Sequence, residues 1–134
     1  GKENSKKPKP KEYSHKIRIN EILPKPKSGE KEFIEIYNPE KDDLDGLKVK
    51  DKSGKECEFP KGIPEKEFTV LWDCGIKLND TTEENLTLYN PDNLSNQISF
   101  LEYKKSGGEN ISYNFDGIGW RWSKFLTPEK ENQF

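Results

Sequence analysis

Every apolar run in this sequence is short, alternates with polar residues and is stopped by proline, glycine or asparagine before a helix could form. Ile17, Ile19 and Leu23 have the period of a half-buried strand, which Pro24 and Pro26 end. In 32–38, Ile34 and Ile36 share one face and Phe33 and Tyr37 the other, and Pro39 follows. Leu47 and Val49 mark a strand over 44–50, and Lys52-Ser53-Gly54 supplies turn chemistry into 55–59. Further strands are predicted over 68–73, 85–90 and 97–103, and shorter ones over 111–115 and 119–123. Eight or nine antiparallel strands with turn signals roughly every 8 to 12 residues predict an all-β sandwich. The absence of alanine agrees with this.

The core of such a chain must be thin. Charged residues make up 36% of it, and Leu, Ile, Val and Phe supply 29 of 134 residues, just above the roughly 20% below which highly charged chains stay unfolded. Two facing sheets can share one inner layer, which leaves polar outer faces as the expectation. A single domain over 16–128 follows, preceded by a Lys/Pro-rich linker over 1–15 and followed by a tail over 129–134. No window has the length of apolar residues that a membrane span needs. A chain that begins with Gly and lacks Met is expected to be an excised or processed piece of a longer protein.

Charge is distributed unevenly. Residues 1–16 carry a net charge of +4 and residues 17–134 carry −6, a field that repels phosphate backbones, so DNA binding would require a basic face hidden in the count. Lys6, Lys7, Pro8, Lys9, Pro10 and Lys11 could attract polyanions, but their composition is that of a linker.

Few residues suggest chemistry. No nucleophile elbow, phosphate-binding loop or Ser/His/Asp arrangement is present, and the single histidine, His15, lies in the linker, so no catalytic residue and no cofactor is expected. Asp42, Asp43, Asp45 and Gly46 invite a calcium reading, but Lys41 and Lys52 occupy the ends of the calcium-loop pattern, leaving a solvated acidic loop and no metal. Asn79, Asn85, Asn93 and Asn110 begin N-x-S/T triplets, which matter only in a secretory route. Ile36-Tyr37-Asn38-Pro39-Glu40 is echoed by Leu88-Tyr89-Asn90-Pro91-Asp92, two strands leaving a sheet through the same turn chemistry.

Two features remain. A hairpin centred between Glu65 and Lys66 would set Cys57 opposite Cys74 and Phe59 opposite Trp72, a register that permits either a disulfide or two buried thiols. Trp120, Arg121 and Trp122 form the candidate interface, since Trp and Arg anchor many interfaces. Alternation along the strand is expected to send one Trp to the core and expose the other.

Ile19-Asn20-Glu21-Ile22 followed by Phe33-Ile34-Glu35-Ile36-Tyr37-Asn38 resembles the lamin tail domain family, immunoglobulin-like sandwiches found in nuclear lamins and in many bacterial exported proteins. Leu44, Gly46 and Leu47, residues 50–54 with Phe59-Pro60, the strand from Phe68 to Trp72, Leu86-Thr87-Leu88 and Thr127-Pro128 extend the likeness over about residues 17–128. Leu47 stands where the family usually has Trp, and Glu129 where a Gly often follows the closing Thr-Pro. Within this pattern Asn20, Glu21 and Glu35 interrupt apolar strands, so their side chains are expected to bond to backbone groups at an end of the sandwich. The resemblance implies a non-catalytic binding or tethering module of a larger protein, with protein partners and a nucleic-acid option. In an exported bacterial parent it would hold that protein to an envelope or extracellular surface, and in a lamin-type parent it would be nuclear. The alternative is an accessory substrate- or DNA-binding domain beside a nuclease or other hydrolase.

Overall fold

The structure, a computed structural model, describes residues 12–92 and 97–134. The Lys6 to Lys11 segment and Asn93 lie outside the described residues. Among the described residues there are nine strands: β1 (Arg18–Leu23), β2 (Phe33–Tyr37), β3 (Lys48–Asp51), β4 (Glu56–Glu58), β5 (Phe68–Trp72), β6 (Glu84–Tyr89), β7 (Gln97–Tyr103), β8 (Ser112–Phe115) and β9 (Trp120–Ser123). All pair antiparallel, in a five-stranded sheet of order β5-β2-β1-β8-β9 and a four-stranded sheet of order β4-β3-β6-β7. The chain is an all-β, immunoglobulin-like sandwich.

Alternation decides which side chains meet between the sheets. Ile19, Ile22, Ile34, Ile36 and Leu71 point inward from the five-stranded sheet, and Val49, Cys57, Leu86, Leu88 and Leu101 from the four-stranded one. Ile76, Leu78 and Phe59 fill the remaining space. The sharp turns between strands rest on buried polar residues. Asn38 donates through its side-chain amide to the Asp42 carbonyl and accepts the Asp42 amide, and Asn90 accepts the Asp92 amide. In both echoed Asn-Pro segments the Asn side chain accepts a backbone amide, four residues on at Asn38 and two residues on at Asn90. Gly46, with φ of +83°, occupies backbone space that other residues adopt only under strain, and the Tyr13 hydroxyl packs beside it while donating to the Asp45 carbonyl.

Three expectations are corrected. The hairpin joining residues 57–59 to 68–74 does not form, because the chain between Pro60 and Glu67 crosses from one sheet to the other: β4 pairs with β3, and β5 with β2. Outer faces are not uniformly polar, since Leu23, Phe33, Phe68, Val70 and Trp72 all lie on the outer side of the five-stranded sheet. Residues 129–134, expected as a tail beyond the domain, continue 124–128 across part of that side: the Ser123 hydroxyl donates to the Gln133 carbonyl, and Asn132 donates to the carbonyls of Asn20 and Phe115.

The register makes a direct test available. Leu88 is fully buried on the inner face of β6, whereas Thr87 faces out. In urea unfolding, Leu88→Ala should cost about 2 to 5 kcal/mol, and Thr87→Ala about 0.5 kcal/mol or less. Equal losses would contradict the assigned faces.

Candidate functional site

The five-stranded sheet is wider than its partner. Strand β7, the edge of the four-stranded sheet, packs over β1, with the Ile19 amide donating to the Ser99 hydroxyl at 3.1 Å. Strands β8 and β9 therefore extend past β7, and their inward side chains must close the core without a facing strand. Large aromatic rings do this. Tyr113 pairs with Trp122 and Phe115 with Trp120 in the β8–β9 register, which puts all four on one face. The Tyr113 and Trp122 ring centroids are 4.3 Å apart, Tyr113 stacks on Trp120 at 5.2 Å, and Tyr103 meets Trp122 edge-on at 5.6 Å. Such pairs each add about 0.5 to 1.5 kcal/mol beyond the area they bury. Trp122 also lies flat on the backbone of Gly107, where a Cβ would come within 2.6 Å of two indole carbons.

This geometry corrects the expectation for Trp120, Arg121 and Trp122. The two tryptophans are two residues apart, so they share a face, and both are half-buried against the core. Arg121 points to the opposite side, where its guanidinium sits 4.8 Å above the Phe134 ring. The three residues do not form one surface.

Beside the aromatic wedge lies an open groove of about 750 Å³. Tyr103, Tyr113 and Trp122 line it on one side, with Lys52, Lys104 and Lys105 around them. Lys52 is paired with Glu83 at 3.1 Å, and the buried Glu84 carboxylate accepts the backbone amides of Lys52, Asn79 and Asn85. Among the described residues, Lys104 and Lys105 have no ion-pair partner, so the groove presents two uncommitted ammonium groups beside aromatic rings. Tyr103, Tyr113, Lys104, Lys105 and Gly107 were not singled out from the sequence. Tyr103 followed by Lys-Lys and Gly-Gly was the available signal.

The motif glutamates sit elsewhere. Glu21 and Glu35 are cross-strand partners on the outer side of β1 and β2, and neither is exposed to solvent. A bulge at Asn20 shifts the register so that both carboxylates share this face. Glu21 accepts from the Ser112 hydroxyl at 2.8 Å and from the Thr127 amide and hydroxyl at 3.1 and 2.9 Å. Glu35 accepts from the Asn20 side-chain amide at 3.0 Å and from the Glu129 backbone amide. The expected backbone partners exist, but they come from the C-terminal segment laid across the sheet rather than from an end of the sandwich. Surrounded by donors and closed to water, the two carboxylates form a structural clasp. Phe33 packs on Trp72 at 5.1 Å, and Tyr37 on Phe68 at 5.3 Å, on the same side of the sheet. Phe59 is wholly buried and anchored by its amide on the Leu47 carbonyl, just before Pro60.

The acidic loop spends its oxygens locally: Asp42 accepts the Ser14 amide, Asp43 the Asp45 amide, and Asp45 the Gly62 amide. Among the described residues, no three His, Cys, Asp or Glu side chains converge as a metal site would require. Cys57 and Cys74 are both free thiols.

Burial pushes the Glu35 carboxyl up to about 7, and the neighbouring Glu21 charge adds to the rise against the donors from Asn20 and Glu129. Glu32, half-buried and accepting the Leu78 amide, is likewise raised by desolvation to about 7. A carboxyl raised in this way keeps its proton in the folded chain after the unfolded chain has released it. Stability is therefore greatest near or below the usual 4.5 and falls as pH rises towards about 7. The urea midpoint should be higher at pH 5 than at pH 8, and Glu35→Gln should flatten that slope. A midpoint that rises over this interval would contradict the burial of these groups.

Three comparisons with known proteins bear on identity. A guanine nucleotide-binding protein subunit beta-like protein of Encephalitozoon cuniculi (strain GB-M1) is 33% identical over 95 residues, covering 71% of this chain and 28% of that relative. The chain thus aligns with little more than a quarter of the curated relative's length. No solved structure matches it significantly. The family model described as Lamin Tail Domain matches residues 10–105, which takes in β1 to β7 and leaves β8, β9 and the C-terminal segment beyond the match. With that match over most of its length, and with the sandwich that carries it, the chain belongs to the lamin tail domain family.

Proposed function

We propose that this chain is a non-catalytic binding module of a larger protein, and that it receives an extended, acidic segment of a protein partner along the flank between β7 and β9. The groove beside Tyr103, Tyr113 and Trp122, with Lys104 and Lys105 at its rim, carries this reading. β7 and β9 are edge strands of opposite sheets, so each offers unpaired backbone donors and acceptors to an added strand. Aromatic rings supply contact area at small entropic cost, and the two ammonium groups favour a carboxylate-bearing segment over a basic one. The relative from Encephalitozoon cuniculi is named as a subunit-like protein, which fits a role in assembly better than one in turnover. A tethering role for the parent protein, at an envelope or nuclear surface, would use the same flank.

Rings beside lysines can also stack single-stranded nucleic acid, which makes that the second reading. The acidic balance of residues 17–134 and the presence of Glu83 and Glu102 beside the groove weigh against it.

Isotope-labelled chain titrated with short extended peptides of alternating glutamate and tyrosine should show amide shifts confined to residues 100–107, 112–115 and 120–123. The double variant Lys104→Glu/Lys105→Glu should weaken binding several-fold. Because both are surface positions, it should leave the melting behaviour within about 0.5 kcal/mol of the parent. Shifts that map to another face, or a charge reversal without effect, would overturn the proposal. Salt-dependent binding of a single-stranded oligonucleotide without peptide binding would favour the second reading.

A further inference from the structure

The opposite flank of the sandwich, where β4 and β5 are the neighbouring edges, has its own groove of about 570 Å³. Both cysteines line it, together with Pro60, Ile63, Pro64 and Trp72. Cys57 points inward from β4, opposite Val49, and is buried in the core. Cys74 follows β5, and simple alternation would send it to the outer side with Val70 and Trp72. Asp73, with φ of +47°, and Gly75, with φ of +101°, take left-handed conformations on either side of it. The chain turns there, and Cys74 swings between the sheets, half-buried against the same core cluster as Cys57. The two thiols share this groove and the same core cluster, near enough for each to shift the other's ionisation. The pair predicted from a hairpin thus meets by a different route, across the gap between two sheets.

We propose that Cys57 and Cys74 are a thiol–disulfide exchange site, which a low-molecular-weight disulfide such as oxidised glutathione converts to a cross-link between the two sheets. Cys74, nearer to solvent, attacks first. Its thiolate displaces one thiolate from the small disulfide and leaves a mixed disulfide on Cys74. Cys57 then gives its proton to a departing thiolate and attacks the Cys74 sulfur, expelling the second small thiol. The two protein thiols lose two electrons and two protons in all, and one small disulfide becomes two thiols. The order of attack follows from the environment as well as from access. The neighbouring Cys57 holds the Cys74 thiol below its ordinary value, while the proximity of Cys74 and burial push Cys57 up. The product ties β4 to the end of β5 and fixes the width of this flank without touching the groove on the other side.

The reduced chain, incubated with mixtures of oxidised and reduced glutathione and then blocked with N-ethylmaleimide, tests the site by intact mass and peptide mapping. The expected product is a monomer lighter by two hydrogens, without maleimide, that yields a Cys57–Cys74 cross-linked peptide. Its melting temperature should rise by several degrees and fall back with dithiothreitol. Cys57→Ser should accumulate glutathione on Cys74, whereas Cys74→Ser should stay unmodified over the same time. Brief alkylation of the unoxidised parent chain should label Cys74 before Cys57, a measurement that needs no variant to fold. Lasting glutathione adducts on the parent chain, oxidation only into intermolecular dimers, or equal labelling of the two cysteines would each overturn the proposal.

Discussion

Two glutamates placed side by side on the outer face of a sheet, where water should reach them, set the constraint on which the rest of this structure depends. Like charges opposite one another on paired strands repel, and sealing them from solvent makes the repulsion worse. Glu21 and Glu35 are tolerated because Ser112, Asn20 and the amides of Thr127 and Glu129 converge on them. Those last two donors come from 106 and 94 residues away in the chain. The C-terminal segment is therefore held by the glutamates, and the glutamates are tolerable only beneath it. Removing either partner would leave a buried group unsatisfied, at about 1 to 3 kcal/mol or more for a charge.

This clasp has consequences for the other side of the sheet. With 124–134 covering part of the outer face around β1, β8 and β9, the five-stranded sheet is held from without where its partner sheet does not reach. Beyond the edge of β7, the inner face is finished by Tyr113, Trp120 and Trp122. Two open flanks result, one aromatic and lysine-rimmed, the other carrying a pair of thiols. A sandwich with unequal sheets thus leaves open grooves at its flanks.

Much of the fold was legible because the strand period is local. Ile34 with Ile36, or Leu86 with Leu88, declares an inward face within three residues, and eight of the nine strands among the described residues lie within a residue of where the alternation puts them; β3 begins only at Lys48, because the Leu47 amide donates to the Leu44 carbonyl in a turn. The same period puts Trp120 and Trp122, two residues apart, on one face. Pairing between strands was less legible. Whether 57–59 meets 68–74 depends on the path from Pro60 to Glu67, and nothing local in that stretch distinguishes a hairpin from a crossing between sheets. The clasp was the least visible feature. Asn20, Glu21 and Glu35 stood out as polar interruptions, but Thr127, Glu129 and Asn132 have no apolar period to mark them, and their role exists only once the sheet is formed.

Backbone hydrogen exchange at Thr127 and Glu129 tests the clasp most directly, because both amides are bonded to the buried glutamates in the folded chain. If the C-terminal segment is part of the folded unit, these two amides should exchange as slowly as those of β1 and β2, and only on global unfolding. Exchange at the rate of an unstructured peptide, with β1 and β2 still protected, would show that the glutamates are buried by something else and that the clasp is wrong.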